Sequence, residues 1–311
     1  MRPMQVPMRV MVIGGAGFIG SHLVDRLLAE GQEVDVVDDL STGNLANLAE
    51  ARAAGGLKIH HLDAGSADVD TVIGIRRPDV IVLLALLPRP DRGSGQVGPA
   101  LGMVTTILES CRHHGVTKVV AAVPAAVLYG HPASQTIPVK EGAMIPRGVN
   151  GVVARSTIDL LEIYRDRSSI EFTVLALASV YGPRQRPDGG VVAAYLAAVD
   201  SNTAPVVHGD GRQTRDFVFV DDVVDAVVRA CERGGGLVIN IGTGEQTSMR
   251  ELWERVGRAA GRETHLAPVA APARPDDLVR FAVSPVRARI HLAWSPWTSL
   301  DEGLARARVV S

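Results

Sequence analysis

Val10-Met-Val-Ile-Gly14-Gly-Ala-Gly17-Phe-Ile-Gly20 runs an apolar strand straight into glycines spaced three apart, and Ser21 to Glu30 then reads as a helix closed by Gly31. Gly14 permits a tight turn, Gly17 lets bare backbone approach a phosphate, and Gly20 lets the helix pack close to the strand. The free amides of Phe18 and Ile19 and the positive end of the helix dipole face the same point. This is the pattern of a dinucleotide pyrophosphate cradle. A second strand, Glu33–Val37, leads to Asp38, about 20 residues on, where a carboxylate accepts the hydroxyls of an adenosine ribose. Asp38, with Asp39 beside it, repels a 2′-phosphate and predicts NAD(H). NADP(H) stays open if the Ser41–Asn44 loop turns both carboxylates away.

Outward from this unit, apolar runs alternate with longer helical patterns: Val10–Ile13, Glu33–Val37, Leu57–His61, Val80–Ala85, Lys118–Val123, Phe172–Ala178 and Val238–Ile241. Alternation of this kind makes crossover units and a parallel sheet. The strands are apolar throughout, as required when helices cover both faces. The expected fold is therefore α/β: a Rossmann-type, doubly wound parallel sheet over residues 1–180. A smaller substrate lobe over 181–311 follows, with the chain returning to the main domain around 215–245. Past Val180 come loops rich in Gly, Pro and Arg. Within that lobe Ser248-x-x-Glu251 and Ser299-x-x-Glu302 have the form of capping boxes.

With 311 residues, 46% of them hydrophobic, the chain can bury a large core. A net charge of −2, with Lys and Arg scattered, excludes the basic footprint of a nucleic-acid binder. Cys111 and Cys231 have no ligand-like spacing, which predicts reduced thiols and a cytoplasmic setting. Met1–Pro7 has no signal-type apolar core, and no uncharged apolar run reaches the ~20 residues of a membrane span. None of the nine histidines has metal-ligand spacing with a cysteine, so no metal site is expected.

Gly14–Gly20, Asp38-Asp-Leu-Ser-Thr-Gly43, Asp63, Leu128-Tyr-Gly130, Val180-Tyr-Gly-Pro-Arg-Gln185, Thr214-Arg-Asp-Phe-Val-Phe-Val-Asp-Asp222, Asn240-Ile-Gly-Thr-Gly244 and Ser299-Leu-Asp-Glu-Gly303 together resemble the extended short-chain dehydrogenase/reductase family. That family is home to nucleotide-sugar epimerases and dehydratases, and the match spans nearly the whole chain. The resemblance implies that Asp63 and Ala64 lie beside the adenine and that Leu83, Leu84 and Ala85 line the cofactor trough. It extends the cofactor surface to Ser41, Val123, Arg155, Ala178 and Val180. On the substrate side it points to Leu86, Leu87, Ala125, Tyr129, Ser179 and Tyr181. Arg215 and Arg274 match positions that bind the diphosphate in sugar-nucleotide members. Relatives often pair through two helices, one of them Gly151–Arg165, so a homodimer is an expectation.

The chain departs from this family where the family does its chemistry. A Ser or Thr is expected four residues before Tyr129, and Ala125 stands there. The helical Tyr-x-x-x-Lys is matched by Gly151 and Arg155. Arg155 either reaches the nicotinamide ribose as a fixed cation or pairs with Asp159 one turn along. It cannot donate a proton at neutral pH. The family's histidine before Leu-Ala-Ala is Leu83, its serine pair is Val123-Pro124, and its asparagine before Val-Tyr-Gly-Pro is Ser179. The candidates left for proton transfer are Tyr129, Ser179 and Ser94, with Tyr181 and His208 beyond them.

A pocket that has become apolar suits a flat, greasy ligand. Epimerisation uses a base twice in each turnover, whereas ketone reduction needs one proton that a phenolic substrate can furnish. The expectation drawn is an NAD(P)H-dependent ketoreductase acting on an aromatic polyketide-like substrate in antibiotic-type metabolism. One alternative is a nucleotide-sugar epimerase or dehydratase with relocated acid/base residues; another is a protein that holds a dinucleotide and turns nothing over.

Overall fold

The computed structural model describes residues 6–87, 94–261, 266–273 and 277–308. Seven strands, β1 (Arg9–Ile13), β2 (Glu33–Asp38), β3 (Leu57–His61), β4 (Val80–Leu83), β5 (Lys118–Pro124), β6 (Glu171–Leu177) and β7 (Leu237–Ile241), form one parallel sheet. Their order is β7-β6-β5-β4-β1-β2-β3. β1 lies between β2 and β4, so the winding direction reverses beside it. A ligand crevice opens at such a switch point, outside the carboxyl ends of the strands. The doubly wound sheet is the expected one. Its inner strands are buried except for a single end residue in some of them, whereas β3, at the edge, tolerates Lys58 and His60. Of the predicted boundaries, β4 stops at Leu83, whose pairing with Ile13 is closed by the Leu84 amide bonding to Ile13 O.

By internal contacts the chain divides into two compact units. The first is Met1–Val123, Pro146–Leu175 and Val224–Ile239; the second is Pro124–Ile145, Ala176–Val223 and Asn240–Ser311. In the first unit, helix α1 (Phe18–Ala29) starts directly out of the glycine turn, three residues before the predicted Ser21. Lys118 is a buried cation there: Nζ donates to Thr173 Oγ1 at 2.8 Å and to Arg233 O at 3.3 Å, and burial lowers its pKa. Both cysteines are free and buried, and burial pushes each thiol up to about 12. Among the described residues no helix is long and apolar enough to cross a membrane.

In the second unit the C-terminal segment is anchored on Asp222, which is fully buried. Its carboxylate accepts Thr298 Oγ1 at 2.8 Å and Thr298 N at 3.1 Å, and its carbonyl accepts Trp294 Nε1 at 2.8 Å. Both sequence-predicted capping boxes show their N-cap bond: Ser248 Oγ accepts Glu251 N at 3.2 Å, and Ser299 Oγ accepts Glu302 N at 3.3 Å. The second helix, Leu300–Arg308, carries Gly303 against the Tyr181 ring, which also stacks edge-on with Phe217 and Phe219. A Cβ at Gly303 would overlap the Tyr181 hydroxyl and stand 2.8 Å from its Cζ. Gly303→Ala is therefore expected to lose about 1–3 kcal/mol in urea unfolding. Adding Tyr181→Phe, which removes the overlapped oxygen, should recover part of it, with a coupling of about 0.5–3 kcal/mol. Strict additivity of the two changes would show that the overlap is relieved elsewhere.

Candidate functional site

In the first unit the strand-to-helix turn requires its glycines for separate reasons. Gly14 has φ +86°, a region L side chains avoid, and a Cβ there would lie 3.0 Å from Ala85 Cβ. At Gly20 a Cβ would overlap the Gly14 carbonyl oxygen and stand 2.8 Å from Gly15 Cα. Gly17 differs: its backbone is extended, and a Cβ would meet only Gly14 O, at 3.3 Å. The space above Gly17 is open. No side chain caps the start of α1, and its first turn holds no acidic residue, so the first amides keep their capacity for an anion. A cradle that tolerates no side chain at Gly14 or Gly20, with unspent donors at its mouth, fits a pyrophosphate.

Asp38 ends β2 as a carboxylate only 7% exposed. Oδ2 accepts the Ala16 N–H and Oδ1 the Leu40 N–H, both at 2.8 Å. Each oxygen keeps a free lone pair. Asp39 is exposed and accepts Ser41 N at 2.9 Å, and Asp63 accepts Gly65 N at 2.8 Å beside buried Ala64. Leu83 is wholly buried, so Leu84 and Ala85 are the open part of that segment. Leu86 is buried in its turn and Leu87 half-buried. Gly151 is buried on the helix Gly148–Ser168, while Arg155 is exposed and pairs with Asp159 at 2.9 Å, the (i, i+4) arrangement that spacing offered. Ser94 begins a short 3-10 turn.

In the second unit Ala125 is fully buried at the start of the short helix Ala125–Tyr129. The Tyr129 hydroxyl donates to Asn240 Oδ1 at 2.7 Å, and Asn240 Nδ2 donates to Val139 O at 2.9 Å. Tyr181 donates to Leu300 O at 3.3 Å. Burial drives both phenols well above their ordinary pKa, so both stay protonated in structural bonds. Ala178 is buried, and Ser179 and Val180 are half-buried, on the strand segment Ser179–Tyr181.

Arg215 pairs with Asp277 and donates to Leu278 O at 2.6 Å and Thr214 O at 2.8 Å. Asp216 and Asp222, both close to it in the chain, bond to other groups. Burial pulls the guanidinium down while Asp277 holds it up. Arg274 lies outside the described residues. Among the described residues no group of three or more His, Cys, Asp or Glu could hold a metal ion.

Sequence reasoning missed the groups that hold these side chains in place. Asp216 is the clearest: fully buried, it accepts Thr243 Oγ1 at 2.6 Å, Thr243 N at 2.9 Å, Gly244 N at 3.1 Å and Val283 N at 3.2 Å. Asn44 and Asn47, which reach back to Ala16, are the others. No spacing rule relates any of them to its partner.

The chain belongs to the NAD dependent epimerase/dehydratase family, whose model matches residues 10–242. It is 39% identical to a UDP-glucose 4-epimerase of Mycolicibacterium smegmatis, over 96% of this chain and 97% of the relative. Among solved structures it resembles the UDP-glucose 4-epimerase of Thermotoga maritima with UDP-glucose, at TM-score 0.91 and 32% identity over 97% of both chains. It also resembles the Thermus thermophilus UDP-glucose 4-epimerase in complex with NAD, at TM-score 0.86 and 30% identity over 97% of this chain and 98% of that one.

These relatives overturn the expected polyketide ketoreductase, because the full-length similarity is to UDP-sugar 4-epimerases. The structure shows why the sequence misled. Leu83, Val123 and Ala125, taken as a greasy pocket lining, are at most 1% exposed and fill the core. Their apolar character reflects packing and carries no information about a ligand.

Proposed function

We propose that the protein binds NAD at the glycine turn and acts on a UDP-sugar, inverting one carbinol carbon. The glycine turn with buried Asp38 beside it carries this reading, and the end-to-end similarity to UDP-glucose 4-epimerases supplies the substrate class. Bound there, NAD would supply reversible hydride exchange with a carbinol carbon of the substrate. The amides of Phe18 and Ile19 hold the pyrophosphate, and Asp38, through its free lone pairs, takes the ribose hydroxyls. Asp63 and Ala64 flank the adenine, and Leu84 and Ala85 wall the trough. The preference for NAD over NADP follows from a carboxylate that two backbone amides hold in place. Arg215 spends three of its five N–H donors on Asp277, Leu278 and Thr214, which leaves two for a diphosphate.

Ala125, Gly151 and Arg155 stand where the family carries its hydroxyl, phenol and ammonium, so the sugar proton passes to a group outside those positions. The loss of a positioned acid/base costs about 10²–10⁴-fold. UDP-glucose and UDP-galactose, incubated with protein and NAD, are expected to interconvert slowly, and Gly151→Tyr with Arg155→Lys should raise the rate at least about tenfold. The phenols of Tyr129 and Tyr181, both spent on structural bonds, favour a second reading: a protein that holds a dinucleotide without turnover. UDP-sugar binding with no interconversion, in the wild type and in the restored variant alike, would decide for it.

A further inference from the structure

Residues 39–47 form a strap beside the glycine turn, and a single residue of that turn, Ala16, holds it. The Ala16 N–H donates to Asp38 at 2.8 Å, while its carbonyl accepts Asn44 N at 3.0 Å and Asn47 Nδ2 at 2.9 Å. Ala16 is fully buried, so both of its polar groups depend on these partners. Gly43 closes the contact, since a Cβ there would stand 2.9 Å from both Ala16 Cβ and Asp38 Oδ1. At the near end of the strap Leu40 sits at φ +57°, a conformation that costs an L side chain free energy and persists only when its surroundings impose it. The imposing bonds are Leu40 N to Asp38 at one end and Asn47 to Ala16 at the other.

The turn that meets the pyrophosphate and the carboxylate that meets the ribose are thus joined through one buried residue, with the Asn47 amide bracing it from behind. We infer that Asn47 is a positioning residue for the dinucleotide. By tying the strap to Ala16 it keeps Asp38 aimed and the turn rigid, and so sets how fast the dinucleotide leaves. The inference rests on the reading of this turn as an NAD site. Asn47 touches no reacting atom; it acts through Ala16 and Asp38.

The test uses the full-length protein and NADH, with release followed in a stopped-flow displacement by excess NAD and the Tm of the cofactor-free protein measured alongside. Asn47→Ala removes one donor from Ala16 O and should speed release about 3- to 10-fold. Asn47→Asp, which sets a carboxylate against that carbonyl, should speed it more, and NADP should compete better in both variants as Asp38 is freed. Leu45→Ala, in the same strap but without a bond to the turn, should release NADH as the wild type does. Release from Asn47→Ala within about twofold of wild type would overturn the inference, as would equal acceleration by Leu45→Ala. So would a lower Tm with unchanged release, the mark of a purely structural role. A wild-type protein that binds no NADH would instead overturn the reading of the site itself, and the inference with it.

Discussion

Replacing Asp216 by alanine is expected to cost at least about 4 kcal/mol, a large part of the ~5–15 kcal/mol by which a domain is stable. Four donors converge on its carboxylate, and none lies on a neighbouring residue: two belong to Thr243, one to Gly244 and one to Val283. Each one left buried and unpaired costs about 1–3 kcal/mol, and a water entering the space left behind restores only part of that. Burial pushes the carboxyl above its usual range and the four donors pull it back, so the group is held by geometry in a place hostile to charge. Asp216→Asn should fall between the two. It keeps an acceptor for Thr243 but turns N–H groups toward the Gly244 and Val283 amides. Urea unfolding followed through the fluorescence of Trp253, Trp294 and Trp297, all in the second unit, checks the order. A loss below about 1 kcal/mol in Asp216→Ala would show that the loops at 243–244 and 283 are held by something else.

Gly20→Ala and Gly17→Ala should fail in different ways although they are three residues apart in one turn. At Gly20 the new methyl meets only backbone: the Gly14 oxygen, Gly15 Cα at 2.8 Å and Gly14 C at 3.0 Å. Backbone cannot step aside as a side chain can, so the expected loss is about 3 kcal/mol, the top of the overpacking range, with α1 displaced and NAD binding abolished. At Gly17 the methyl meets one oxygen at 3.3 Å and otherwise projects into open space at the mouth of the cradle. Stability should change by about 1 kcal/mol or less, as for an N-cap glycine, while NAD affinity falls about 10- to 100-fold. Thermal melts beside NADH titrations separate the two. A Gly17→Ala protein that binds NADH like the wild type would mean the dinucleotide does not cross this turn.

The sheet was legible in the sequence because a strand covered on both faces must be apolar along its length, and runs such as Val10–Ile13 and Val80–Leu83 have no other use. The glycine turn was legible for a related reason: Gly17 and Gly20 answer to backbone a few residues away, and Gly14 to its own φ of +86°. The chemistry was less so. Arg215 and Asp216 sit side by side in the chain, yet they do not pair. Arg215 ends the strand Thr214–Arg215 and Asp216 follows it outside the strand, and the structure sends one to Asp277 and the other to Thr243, Gly244 and Val283. Leu83, Val123 and Ala125 are buried, and an apolar residue looks alike in the sequence whether it lines a pocket or fills a core.

The order of residues by itself determined the doubly wound sheet, the cradle at Gly14–Gly20 and the carboxylate at Asp38, because each follows from local periodicity and short-range sterics. Only the tertiary structure decided that Asn47 braces Ala16, that Asp216 gathers two distant segments, that Gly303 yields to Tyr181 and that Tyr129 is spent on Asn240. Those pairings join residues 27 to 122 positions apart. Hydrogen bonds and packing act over a few ångströms of space and are blind to separation along the chain, so no pattern in the sequence records them.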